Sequence, residues 1–172
     1  MSSRPLALRE YASPLGRMLL ASEEEALVGA WFEGQRFFGS GLLSSVSAFH
    51  GDTPPLLAAC RWLDAYFSGD FHALPPLPPL APVGSPFRRA VWQMLRDIPL
   101  GQTSTYGQLT ATLRRRGVKA SPQAVGGAVG HNPLSLFLPC HRVLGARGSL
   151  TGYAAGLERK LRLLTHEGVT LY

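Results

Sequence analysis

The sequence predicts an α+β protein in two parts, a small antiparallel sheet with one helix followed by a mostly helical half. Three observations carry this. Short strand-like runs separated by turn residues open the chain, a proline-rich stretch divides it near its middle, and beyond that apolar residues recur at helical spacing behind N-cap signals.

In chain order, residues 6–11 and 17–22 predict two strands around the turn Ser13-Pro14-Leu15-Gly16. Glu23-Glu24-Glu25 predicts a solvated turn, and residues 26–32 a third strand. Residues 40–55, rich in Gly and Ser, read as a loop. Residues 56–67 place Leu56, Ala59, Leu63, Tyr66 and Phe67 at helical spacing, stopped by Ser68-Gly69-Asp70. Pro75, Pro76, Pro78, Pro79, Pro82 and Pro86 make residues 73–86 an extended, polyproline-like connector, which places a domain boundary between 1–80 and 81–172.

Beyond the connector, residues 87–98 predict a helix ended by Pro99-Leu100-Gly101. Thr105 and Gln108 have the spacing of a capping box, opening a helix to about Arg114. A basic turn, Arg114-Arg115-Arg116-Gly117-Val118-Lys119, leads to Ser121-Pro122, an N-cap and a first-turn proline for a helix over residues 123–130. Two short helices around a tight turn outline a helix-turn-helix, in a winged-helix-like setting.

Charge follows the same division. Residues 1–80 hold five Arg and eight acids (−3), whereas residues 81–172 hold twelve Lys/Arg and three acids (+9). A basic half of this kind suits a polyanion, nucleic acid first among them. Gly126 and Gly127 inside the last helix cost about 1 kcal/mol each relative to alanine. Close approach of another surface explains them, either a packed neighbour or a DNA groove, and the basic turn favours DNA. A helix with so few side chains reads few base edges, so binding independent of sequence is expected.

Residues 136–144 form a buried, strand-like apolar run that reaches Pro139 and presents Cys140 with His141 behind it. A thiol needs a base to become a nucleophile, and the base an orienting acceptor. His141 is the adjacent base. The acceptor comes from the three acids of this half, Asp97, Glu158 and Glu167. Asp97 ends an amphipathic helix, and Glu158 reads as sharing a solvated helix face with Arg159, Lys160 and Arg162. Glu167, at a helix end before Gly168, fits best. Cys60 reads as core filler and Asn132 as a turn residue using its side chain on local backbone. Two cysteines make neither a disulfide framework nor a cysteine-rich metal site. The N-terminal residues carry no signal-peptide core and no run approaches the roughly 20 apolar residues of a membrane span, so a cytoplasmic location is expected.

Pro139-Cys140-His141-Arg142-Val143, preceded by Asn132-Pro133, resembles the O6-alkylguanine-DNA alkyltransferases. Residues 98–107, Ala124-Val125-Gly126-Gly127-Ala128, Thr151-Gly152-Tyr153 and His166-Glu167-Gly168 extend the similarity over nearly all of 85–170, and residues 1–80 fit more loosely. The resemblance implies a single-turnover transfer of the alkyl group from guanine O6, with O4-methylthymine a second possible substrate, onto Cys140. It implies a relay of Cys140, a water, His141 and Glu167, with Asn132 bracing the active-site turn and Tyr106 beside a flipped nucleotide. The carbonyls of Cys140 and Val143 would accept the guanine amine, while Tyr153 and Ala154 close over the base. Arg114, Arg115, Gln123, Ala124, Gly126 and Gly127 would meet the minor groove of double-stranded DNA. A monomer with no cofactor and no metal is implied. A base-binding relative without transfer is the competing reading, but such relatives carry another residue, often tryptophan, where this chain has Cys140. A thiol hydrolase would leave the helix-turn-helix without a purpose.

One position departs from the resemblance: Gln123 stands where an arginine usually fills the gap left by the flipped base. Glutamine intercalates and hydrogen-bonds but brings no charge to the duplex. Gln123→Arg is therefore expected to tighten DNA binding in a fluorescence titration and to speed repair. Unchanged affinity and rate would contradict this.

Overall fold

The computed structural model describes residues 4–39, 42–43 and 47–171. It divides into two compact units. Residues up to 83 together with 133–137 form one, and residues 84–132 with 138 onward form the other. The segment 133–137, which the sequence groups with the second half, thus belongs with the first.

The first unit is built on a sheet ordered β3-β2-β1-β4. β1 (Leu6–Ser13) and β2 (Gly16–Ser22) form an antiparallel hairpin, and β3 (Leu27–Phe32) continues the meander. The fourth strand, β4 (Ala48–His50), corrects two expectations. It lies inside the stretch read as a loop, and it pairs parallel to β1, so the sheet is mixed. All three of its residues are exposed, so no apolar alternation marks it in sequence. Residues 40–41 and 44–46 of that stretch lie outside the described residues.

All six residues of β3 are buried, the unbroken apolar run expected of a strand covered on both faces. Gly29 is required there, because a Cβ would stand 2.0 Å from the ring of Trp31. Two passing segments satisfy further backbone groups of β3: Leu27 N donates to Pro79 O while Leu27 O accepts from Ala81 N, and Ala30 N donates to Pro133 O while Ala30 O accepts from Ser135 N. This blunts an edge that would otherwise template pairing with another chain.

α1 (Pro54–Ser68) starts at the Thr53 N-cap and ends on Gly69 in the left-handed region. It buries Leu56, Ala59, Leu63 and Tyr66. The Trp62 ring lies 5.2 Å from Tyr66 and 5.0 Å from Phe137, centroid to centroid. The run 136–139 is buried as expected but is no regular strand, since Leu136 turns the chain with φ 75°.

The second unit contains α2 (Pro86–Leu95), α3 (Tyr106–Arg115), α4 (Pro122–Gly130) and α5 (Leu157–His166). The capping box of Thr105 and Gln108 is present in full. Ser121 caps α4, and Trp92 on α2 donates its indole N–H to Ala128 O of α4 at 2.7 Å. Between α3 and α4, Gly117 takes φ 80° and Arg114 Nε donates to Ala120 O. Two short strands, β5 (Ser104–Thr105) and β6 (Val143–Leu144), pair in parallel with Thr105 opposite Leu144. That register sets the start of α3, and with it Tyr106, beside the segment leaving Cys140. No helix among the described residues is long and apolar enough to cross a membrane.

Candidate active site

Cys140, His141 and Arg142 form a single 3-10 turn between Pro139 and β6, and all three are buried. Cys140 N donates to Leu138 O at 2.8 Å, and Asn132 Nδ2 donates to the same carbonyl at 2.7 Å. Asn132 therefore uses its side chain on nearby backbone, and that backbone is the turn presenting the thiol. A single carbonyl, Leu138 O, thus collects both bonds on the approach to Cys140.

Of the three acids in this half, Glu167 reaches His141. It follows α5, donates its own N–H to Leu163 O, and is followed by Gly168 at φ 82°. Its Oε1 lies 2.7 Å from His141 Nε2, with both side chains fully buried. Arg142 grips the same carboxylate through Nε to Oε2 and Nη2 to Oε1, each at 2.9 Å. Burial alone would raise the Glu167 pKa, but the hydrogen bonds and charges of His141 and Arg142 outweigh it and hold it at about 2. An ionised Glu167 only accepts, so His141 Nε2 carries the proton and Nδ1 keeps its lone pair. Nδ1 is buried and has no hydrogen-bond partner among the described residues. Burial lowers the His141 pKa against the pull of Glu167, so the ring rests neutral.

Burial likewise pushes the Cys140 thiol up, opposed by the Asn132 hydrogen bond and the Lys160 charge. Cys140 rests as a thiol beside a neutral base.

Lys160 corrects the expectation for α5. It does not sit on a solvated face but is fully buried. Its Nζ donates to Val143 O, to Thr151 O at 2.9 Å and to Gly152 O at 2.9 Å. Desolvation lowers its pKa to about 8, partly countered by Cys140. A signal existed in the sequence: Lys160 stands three, four and seven residues before Leu163, Leu164 and Glu167, on the face that is buried. Its charge hid that spacing.

Around this centre, Tyr106 points its hydroxyl at Thr151 O, 3.4 Å away, and its ring centroid lies 5.9 Å from Lys160 Nζ. The hydroxyl oxygen of Tyr153 is buried, and Ala154 is half-buried beside it. On α4, Gln123, Ala124 and Gly127 are exposed and Gly126 is half-buried. A Cβ on Gly127 or Gly130 would meet nothing within 4 Å, and one on Gly126 would only touch Tyr106 at 4.0 Å. Internal packing therefore does not require these glycines. Arg115 donates to Thr112 Oγ1, and Arg114 braces the turn before α4.

A buried thiol next to a histidine–carboxylate pair, with a thin exposed helix in the same unit, marks an α+β protein arranged around a single buried cysteine. Family models for 6-O-methylguanine DNA methyltransferase match here, its ribonuclease-like domain over residues 8–78 and its DNA-binding domain over residues 86–169. The chain belongs to that family. Methylated-DNA–protein-cysteine methyltransferases from Haemophilus influenzae and Methanosarcina acetivorans are 39% and 36% identical, across 92% of this chain and 84% and 96% of theirs. Mycobacterium tuberculosis OGT, solved in complex with DNA, superposes with a TM-score of 0.77 at 33% identity, covering 95% of this chain and 92% of that one.

Glu167 links folding to acidity. Its pKa is about 2 in the folded protein against an ordinary 4.5, so its stabilisation is full above pH 4.5 and drains as the pH falls toward 2. That window is worth on the order of 3 kcal/mol. Urea unfolding at a series of pH values should show a steeper acid loss for the wild type than for Glu167→Gln. Parallel losses would show that Glu167 is not the linked group.

Proposed function

We propose that this protein repairs DNA by direct reversal, moving the alkyl group of O6-alkylguanine onto Cys140 in one irreversible turnover. The observation carrying the reading is the buried 2.7 Å contact of His141 Nε2 with Glu167, which leaves Nδ1 as the free base in the residue next to the thiol. His141 Nδ1 takes the Cys140 proton, through a water as the family resemblance implies. The thiolate then attacks the alkyl carbon, the S–C bond forms as the C–O6 bond breaks, and the electron pair leaves on the guanine, which takes up a proton. Glu167 stabilises the imidazolium. No step regenerates the thiol, so each molecule acts once.

A base in a stacked duplex is out of reach of a buried sulfur, which calls for flipping the nucleotide into the site. Tyr106 supports the displaced strand and the base, Tyr153 and Ala154 line the pocket, and the Val143 carbonyl has a second lone pair for the guanine amine. α3 and α4 act as a helix-turn-helix on the minor groove of double-stranded DNA, with Gln123 in the vacated stack and Ala124, Gly126 and Gly127 allowing close approach. Arg114 and Arg115 supply charge near the phosphates. The protein works as a monomer in the cytoplasm, and O4-methylthymine is a second candidate substrate. The lysine-fixed carbonyls of Thr151 and Gly152 support a pocket wall set before DNA arrives.

Intact-mass analysis after incubation with an O6-methylguanine oligonucleotide is expected to show one added methyl on Cys140 and none on Cys140→Ser. Lesion binding with unchanged mass would overturn transfer in favour of a non-enzymatic binder, and many turnovers per molecule would indicate a hydrolase.

The glycines of α4 give an independent check. Gly127→Ala adds a methyl into open space, so it should stabilise the fold by up to about 1 kcal/mol while weakening DNA binding. Thermal unfolding and a DNA titration measure the two effects, and unchanged affinity would remove α4 from the interface.

A further inference from the structure

Arg142 is a buried side chain at the site to which the reaction just described gives no task. The residue is 7% exposed, and three of its N–H groups are placed. Nε donates to Glu167 Oε2 at 2.9 Å, Nη2 to Glu167 Oε1 at 2.9 Å, and Nη1 to Ile98 O at 2.8 Å. The fork therefore ties the carboxylate to the turn after α2, and it shares Oε1 with His141 Nε2. A planar bidentate pair fixes the plane of a carboxylate as well as its position.

We propose that Arg142 is a positioning residue for alkyl transfer: by clamping both oxygens of Glu167 it keeps His141 in the tautomer with hydrogen on Nε2 and a lone pair on Nδ1. The proposal rests on the reading of Cys140 and His141 as nucleophile and base.

The chemistry behind it is a proton count. Glu167 and neutral His141 together hold one proton, on Nε2. A second proton, wherever the pair stores it, puts hydrogen on Nδ1: either as imidazolium with Glu167 ionised, or as the Nδ1–H tautomer with a protonated Glu167 donating to Nε2. Both forms disable the base before the thiol is reached. The fixed charge of Arg142 disfavours both, because it stabilises the carboxylate and repels an imidazolium. The charged or titratable groups acting on His141 are Glu167, Arg142 and Lys160. Of these, only Arg142 also touches the carboxylate oxygen that His141 uses.

The test is the single-turnover methyl-transfer rate, at saturating O6-methylguanine DNA, as a function of pH. Arg142→Gln should move the acidic limb up by about one pH unit or more. Arg142→Lys, which keeps a charge but lacks the fork, should leave the limb near its wild-type position and lower the plateau. A lowered plateau with an unmoved limb in Arg142→Gln would mean a merely structural role and overturn the proposal. Nitrogen NMR of labelled histidine in the unmutated protein tests the same point without any variant. The His141 signals should show Nε2–H and an imine-like Nδ1 at neutral pH, and the opposite tautomer would overturn the proposal. Failure of the underlying reading looks different: the wild type would gain no methyl on Cys140, or His141→Ala would transfer at the wild-type rate.

Discussion

The second unit depends on one carboxylate. Glu167 sits where α5 ends, holds His141 from one side and Arg142 from another, and through Arg142 reaches the backbone at Ile98. An uncompensated carboxylate in this setting would cost several kcal/mol. Three hydrogen bonds and the positive charge of Arg142 compensate it instead. The consequence is directional: an acid kept ionised is a dependable acceptor, a dependable acceptor fixes the ring it binds, and a fixed ring offers the same nitrogen every time. The resting site holds a neutral thiol and a neutral imidazole, so charge separation belongs to the moment of reaction.

The glycines of α4 show the opposite allocation. Gly126, Gly127 and Gly130 leave open space where alanine would fit, and each lowers helix stability. Trp92, hydrogen-bonded to Ala128 O, and the Ser121 cap hold the helix in spite of them. The helix is anchored on its buried side and stripped on its exposed side, which suits a rod that must lie against something rigid.

Much of this was legible locally. Caps are written in adjacent residues, so Thr105 with Gln108, and Ser121 with Pro122, mark the starts of α3 and α4 in sequence as in structure. The three meander strands follow from short apolar runs and their turns. Pairings made across the chain left no such mark. β4 has three exposed residues and a parallel partner some forty positions away. The run before Cys140 looked like a strand because it is apolar throughout, whereas Leu136 bends it. Among the acids, Glu167 stood out by its place at a helix end. Lys160 and Arg142 did not, because a charged residue reads as solvated until its partners are known.

Lys160 also explains its own identity. The chain carries 17 basic residues, of which only Lys119 and Lys160 are lysines. Three backbone carbonyls, from residues 143, 151 and 152, converge on one point. A tetrahedral ammonium has three protons to offer to such a cup, whereas a guanidinium is flat and spreads its donors along an edge. The geometry selects a point cation, so the strand leaving the thiol and the loop facing Tyr106 are riveted together by a group that arginine, the basic residue this chain uses almost everywhere else, would fail to replace.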